Sequence, residues 1–240
     1  MNRREALGQI AGGAMGSIVG GAMGAGEPAA TPPGQPPGQH RSKPLPFDAR
    51  KLNGLSERLI VSHHENNYGG AIKNLNKVEE ELARVTTETP AFVVGGLKEK
   101  ELAFTNSVIL HELYFSNLGG SGQADGRIAK DLADAFGTFA RWEETFRATG
   151  MSLAGGSGWA ILDLNLSTSD LRTYWSGNHT QALAWGHPLL VLDMYEHAYQ
   201  MDYGAAASKY VDAFFRNIHW EEVNRRLERA RAAPAALASR

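Results

Sequence analysis

After residue 45, apolar and polar positions divide the chain into helical runs, three short apolar runs and a closing helical stretch. From about 55 to 84, GLSERLIVSHHENNYGGAIKNLNKVEEELARV reads as a helix interrupted at Gly69 and Gly70. Two glycines inside a helix cost roughly 2 kcal/mol relative to alanine. The pattern therefore predicts a kink, a close backbone approach, or two helices with a short join. A second helix is expected from about Leu97 to Asn117, ending at LGGSGQADG, whose glycines make it the candidate boundary within the fold. DGRIAKDLADAFGTFARWEETFRATG then reads as two short helices, with Leu132, Phe136, Phe139, Trp142 and Phe146 at core spacing. GWAILDLNLSTSDLRTYWS places two apolar runs around a Ser/Thr/Asp turn and predicts a β-hairpin. PLLVLD is apolar up to its aspartate and suits a buried strand. AASKYVDAFFRNIHWEEVNRRLERARAA is expected as one closing helix. Helices first, then a smaller part mixing helix and sheet, place the fold in the α+β class.

The first 45 residues do not read as part of that fold. MNRREALGQIAGGAMGSIVGGAMGAG puts an Arg3-Arg4 pair ahead of a Gly/Ala-rich, weakly apolar stretch. It is too poor in Leu, Ile and Val for a bilayer span, so stable membrane insertion is not expected. The paired arginines resemble a twin-arginine export signal, although Glu5 and Ala6 stand where that pattern often has a bulky apolar residue second. The expected organisation is an export signal at 1–30 and a Pro/Gly-rich linker at 31–45, with His40 solvated in it. Folded parts at 46–118 and 119–240 follow. The expected location is exported, periplasmic or secreted.

Composition narrows the chemistry. The net charge of −2 on 240 residues gives no footprint for nucleic acid or an acidic membrane surface. Cysteine is absent, so a metal here is held by His, Asp or Glu. HHENNY nearly spells the zinc-protease H-E-x-x-H, but Tyr68 stands where the second histidine must be. Paired E-x-x-H motifs of the ferritin-like di-iron kind are lacking. What remains is His63 on the first helix, His111 on an otherwise apolar face of the second, and Asp193 with His197 four residues on, where the buried strand ends. Two antiparallel helices and a strand end inserted between them can bring these four together. Three imidazoles and one carboxylate suit Fe, Mn or Zn. By spacing alone, packed core histidines and a metal site stand about level.

From PLPFDA at 45 onward the chain resembles the iron/manganese superoxide dismutase family. The matching pieces occur in order: HH…NLN on the first helix, H-x-x-x-F on the second, GSGWA at 156–160, LLVLDMYEHAYQMDY at 189–203 and YVDAFFRNIHW at 210–220. The resemblance implies an N-terminal antiparallel helical hairpin followed by an α/β domain with a three-stranded antiparallel sheet. It implies one Fe or Mn ion per subunit on His63, His111, Asp193 and His197, with superoxide as substrate. It also implies a homodimer in which Glu196 contacts His197 of the partner subunit. Trp159 is expected to wall the site and keep it dry. His179 falls where many members carry a solvent-bonding glutamine, and Tyr199 matches a tyrosine near the dimer contact.

The chain departs from the family on the first helix. The family's second histidine is Asn67 here, and its gateway tyrosine is Ala71. Tyr68, a turn earlier, is expected to fill that space, with Gly69 and Gly70 letting it swing. Tyr195 replaces the tryptophan usual in the D-x-W-E-H block. Ser107 is small, as in manganese members. His64 is expected to face outward or toward a dimer contact, and His187 and His219 to pack or cap. The function these residues suggest is superoxide dismutation. The alternative is a non-enzymatic, dimeric metal-binding or structural relative on the same scaffold.

Overall fold

A computed structural model describes residues 36–181 and 183–232. The export signal expected at 1–30 lies outside these residues. Those described belong to one compact unit, Gln35–Arg240. No helix among them is long and apolar enough to cross a membrane.

The first helical run opens with α1 (Glu57–Ser62), capped by the Ser56 side chain on the Leu59 amide. It winds through a π-helical segment, His63–Tyr68, and continues as α2 (Gly69–Leu82). The expected interruption at the glycines is instead an irregularity just ahead of them. The run is continuous, and its irregularity is a wide turn upstream of the glycines. The Gly69 amide reaches both the Asn66 and His64 carbonyls, the latter five residues back. A Cβ on Gly69 would meet only the His64 carbonyl at 3.6 Å, and one on Gly70 would meet nothing within 4 Å. Gly69 and Gly70 therefore sit in ordinary helical backbone without a steric need for glycine.

The return helix α3 (Ala91–Ser116) starts six residues before the expected Leu97, because Pro90 fixes its entry and Gly95-Gly96 do not stop it. It packs against α2 and completes the helical hairpin. Next come α4 (Gly126–Phe136) and α5 (Phe139–Met151), separated by Gly137 at φ 87 and the Thr138 cap. The sheet is β1 (Trp159–Asn165), β2 (Leu171–Ser176) and β3 (Gly186–Asp193) in the order β2-β1-β3, antiparallel throughout. A helical hairpin followed by an α/β part with a three-stranded antiparallel sheet is the fold expected from the sequence.

The closing stretch is two helices after the short α6 (Gln200–Tyr203): α7 (Ala207–Arg216) and α8 (Trp220–Ala232). The expected single helix breaks because Asn217 turns its side chain to the Asn53 backbone, giving and receiving a hydrogen bond there. The His219 amide meanwhile donates to the Asn117 carbonyl. Helix α8 is then fixed by Arg226, which is buried and spends all five guanidinium donors. They go to Glu222, the Asn117 side chain, the Leu189 and Leu113 carbonyls and Ser116. This one side chain ties the last helix to α3 and β3.

Residues 36–45 form no regular element, yet His40 is not solvated as expected. Its ring lies 2.9 Å from a Glu79 carboxylate oxygen on α2, and its backbone exchanges hydrogen bonds with the Asn76 side chain. The segment is a strap laid along the first helical run.

At the β1–β3 seam the register shifts between Leu162 and Asp163, opposite Pro188, which has no amide to donate. The Asp163 carboxylate accepts from the neighbouring His187 amide at 2.7 Å. Burial raises its pKa to about 7, from an ordinary 3.8. The unfolded chain gives up that proton far more readily, so stability is full below the ordinary value and is lost as pH rises through 7. Asp163→Asn keeps an oxygen for His187 and cannot ionise. It should raise the melting temperature at about pH 8, by at least about 1 kcal/mol of stability, and by less at about pH 5. Calorimetry at the two pH values, in one metal state, checks this. No gain at the higher pH would mean the ionised carboxylate is not penalised.

Candidate metal centre

Four elements deliver the expected ligands. His63 opens the π-helical segment, where the widened turn displaces its side chain relative to an α-helical course. His111 projects from α3, Asp193 ends β3, and His197 sits in the 3-10 turn Glu196–Ala198 directly after it. Their candidate ligand atoms lie within 4.8 Å of one another. The focus is a single carboxylate oxygen. Asp193 Oδ2 lies 3.2 Å from His63 Nε2, 3.3 Å from His197 Nε2 and 3.7 Å from His111 Nε2. The other oxygen, Oδ1, accepts from the Tyr195 amide at 2.8 Å, which leaves Oδ2 facing the imidazoles.

Protonation follows from the surroundings. His111 Nδ1 donates to the Ser107 carbonyl at 2.7 Å, so in the neutral ring Nε2 carries the lone pair toward the centre. Burial, reinforced by His63, drives the His111 pKa down to about 3. Burial also lowers His63. Burial acts to raise Asp193, but His197 and His63 outweigh it and hold the carboxylate far below its usual range. Burial thus favours neutral rings at His63 and His111 beside an ionised Asp193. Nε2 of both His63 and His111 is buried without a hydrogen bond, even though the His63 nitrogen is close to Oδ2. Buried polar atoms are rarely left so. Three imidazole nitrogens and a carboxylate oxygen aimed at one point, two of the nitrogens without a hydrogen-bond partner, fit a cation.

Around the ligands, Trp159 is fully buried and packs edge-on against His111, with ring centroids 5.1 Å apart. Its indole N–H donates to His179 Nδ1 at 3.0 Å. Indole can only donate, so the remaining proton of neutral His179 sits on Nε2. Burial lowers the His179 pKa and favours that neutral ring. The Asn106 side chain holds the His179 carbonyl. Tyr210 donates to the Asp193 carbonyl at 2.7 Å, with Tyr114 beside its hydroxyl and Tyr199 stacked on its ring. Tyr199 thus reaches the centre only through Tyr210.

Tyr68 is placed differently from the gateway role expected of it. Its hydroxyl accepts from the Lys43 amide at 3.0 Å and donates to Glu112 at 2.9 Å. Burial pushes its pKa up to about 12. Its ring lies 6.3 Å from that of His111, and its polar end is committed to the strap, which leaves the swing without support. His64 is half-exposed and turned to the strap, with Nε2 2.8 Å from the Lys43 carbonyl. A cavity of about 540 Å³ lies on this flank, lined by Tyr68, Phe115, Ile109 and Arg226 among others, and touches none of the four ligands. Tyr210, Tyr114 and Asn106 were not singled out by the sequence, where aromatics at helical spacing carry only a core signal.

Comparison with known proteins agrees with this geometry. Residues 124–226 match the family model for iron/manganese superoxide dismutases, C-terminal domain. An iron superoxide dismutase of Cupriavidus metallidurans is 48% identical over 192 residues, 80% of this chain and 98% of that relative. A manganese superoxide dismutase of Halobacterium salinarum is 32% identical over 197 residues, covering 80% and 96%. An iron superoxide dismutase of Aquifex pyrophilus is 33% identical over 210 residues, covering 83% and 97%.

Proposed function

The chain belongs to the iron/manganese superoxide dismutase family, and from that premise we propose that it disproportionates superoxide with iron or manganese held by His63, His111, Asp193 and His197. The observation that carries this reading is the convergence of three imidazole nitrogens on Asp193 Oδ2, two of them buried without a hydrogen bond. When bound, the ion supplies one-electron redox between its +3 and +2 states, so that one superoxide leaves as O₂ and the next, with two protons, as H₂O₂. The chain's own residues handle charge and protons. Asp193 contributes the single negative charge, and Tyr210 fixes the strand end that carries it. Trp159 keeps water from the His111 side. His179 holds a proton at Nε2 and is the proton donor of this site. Tyr68 has no part in the chemistry and anchors the strap.

The deciding measurement is superoxide dismutation per bound metal atom, on protein reconstituted separately with Fe and with Mn. Activity with at least one of them is expected. Asp193→Ala should bind less than about a tenth of the metal, since it removes the only anionic ligand. Stoichiometric metal without activity from either ion would instead favour the non-enzymatic relative and point to Asn67 and Ala71.

We further propose a homodimer in which Glu196 of one protomer meets His197 of the partner subunit. In support, Glu196 is exposed beside His197, whose side chain is 26% accessible while those of His63 and Asp193 are fully enclosed. Sedimentation should find a dimer that Glu196→Lys weakens at least about tenfold, about 1.4 kcal/mol or more, since it removes the carboxylate that meets the ring. A wild-type monomer at micromolar concentration would end this reading.

The proposed destination is outside the cytoplasm, through the Arg3-Arg4 leader. A route for folded proteins would let iron or manganese be loaded before copper and zinc compete for the same nitrogen and oxygen donors. The strap limits any processing, because the Gly38 amide is already bonded to Glu79. Arg3→Lys with Arg4→Lys should retain the precursor in the cytoplasm, and the exported form should begin upstream of Gly38. Unchanged fractionation of that variant would refute the route.

A further inference from the structure

The side chain at the usual tryptophan of the D-x-W-E-H block is Tyr195, and its surroundings give it a definite task. Its ring lies flat on His179, with centroids 4.9 Å apart and planes 10° from parallel. The same ring lies on His197 at 5.3 Å and 19°. Tyr195 thus lies nearly parallel to, and in contact with, both the proton-holding imidazole and a candidate ligand imidazole. The Tyr195 amide is itself tied to Asp193 Oδ1.

The hydrogen bond from Trp159 to His179 Nδ1 fixes one point of the imidazole and leaves its plane free. Turning the ring out of its present plane would swing Nδ1 off the line of the Trp159 N–H, and the N–H of His179 would then point elsewhere. A flat aromatic neighbour restricts the plane. Both centroid distances fall in the range where aromatic pairs attract beyond simple burial. Asn106 restrains the His179 backbone but leaves its side-chain torsions free.

We propose that Tyr195 is a positioning residue: stacked on His197 and His179, it holds the His179 ring in the orientation that receives the Trp159 N–H and leaves the proton on Nε2. This rests on the reading of His179 as the proton donor. Three contacts with separate chemistry thereby set one proton: an indole donor at Nδ1, a π-face on the ring plane, and a ligand imidazole against the same tyrosine. The Tyr195 hydroxyl has no share in the task, which belongs to the ring.

The test uses metal-free full-length protein labelled with ¹⁵N-histidine, with the His179 signals identified by their loss in His179→Gln. Wild type and Tyr195→Phe should both show His179 with Nδ1 unprotonated and Nε2 protonated. Tyr195→Leu keeps an apolar side chain and loses the flat face. It should shift the tautomer ratio by a few-fold to about tenfold, with the remaining histidine signals in place. After reconstitution it should bind metal normally and dismutate superoxide more slowly per metal, with Tyr195→Phe restoring the rate. A His179 that stays wholly Nε2-protonated in Tyr195→Leu overturns the proposal. Full dismutation by His179→Ala would overturn the proton-donor reading instead, and the tautomer measurement separates that outcome from a failure of the stack.

Discussion

Everything in this molecule is arranged around a buried carboxylate. Asp193 ends a strand with no water to solvate its charge, and ionised groups leave water only when something compensates them. Here the amide of Tyr195 serves one oxygen, and three imidazoles crowd the other. The neutral rings of His63 and His111 are poor compensation by themselves, whereas a cation among the four groups changes the sign of the balance. The helical hairpin brings His63 and His111, the sheet brings Asp193, and the turn after it brings His197. Removing any one of these elements leaves the charge facing apolar side chains.

The four candidate ligands were legible chiefly through the ordered family motifs, since spacing alone left packed core histidines and a metal site about level; local pattern helped at two of them. An apolar helix face frames His111, and an uninterrupted apolar run ends at Asp193. The sheet, too, was plain from its two short runs and their turn. What escaped depends on pairs of residues far apart in the chain. Arg226 looks like one charge among many on the last helix until Asn117 and Leu189 come within reach. Asn217 looks helical until the Asn53 backbone competes for its side chain. Tyr68 looked like a neighbour of the metal because helical counting places it there, but counting cannot see the Lys43 amide that claims its hydroxyl. His40 was assigned to solvent for the same reason: its partner Glu79 lies thirty-nine positions away.

The strap and the centre share walls. Phe115 packs on His63 and on His64, and Tyr68 sits between Phe115 and the strap backbone. A polar anchor on the outside and aromatic packing on the inside hold residues 36–45 down, with the Lys43 ammonium paired to Glu112. The acidic partner of Tyr68, Glu112, follows His111 directly in sequence, yet α-helical geometry sends the two side chains about 100° apart. Adjacent positions thus serve different faces of one helix.

The wide turn at His63–Tyr68 has a consequence for how this helix could be altered by insertion or deletion. A π-helical turn holds one residue more than an α-turn in nearly the same length of axis. Losing one residue inside it would let the backbone close into a regular α-helix at little cost in hydrogen bonds. The same loss would rotate everything upstream by about 100° relative to α2. His63 would leave its place beside Asp193, while the helix as a unit of secondary structure would survive. The spare residue is thus a reading frame written in space: one position fewer, and an intact scaffold would present the wrong face.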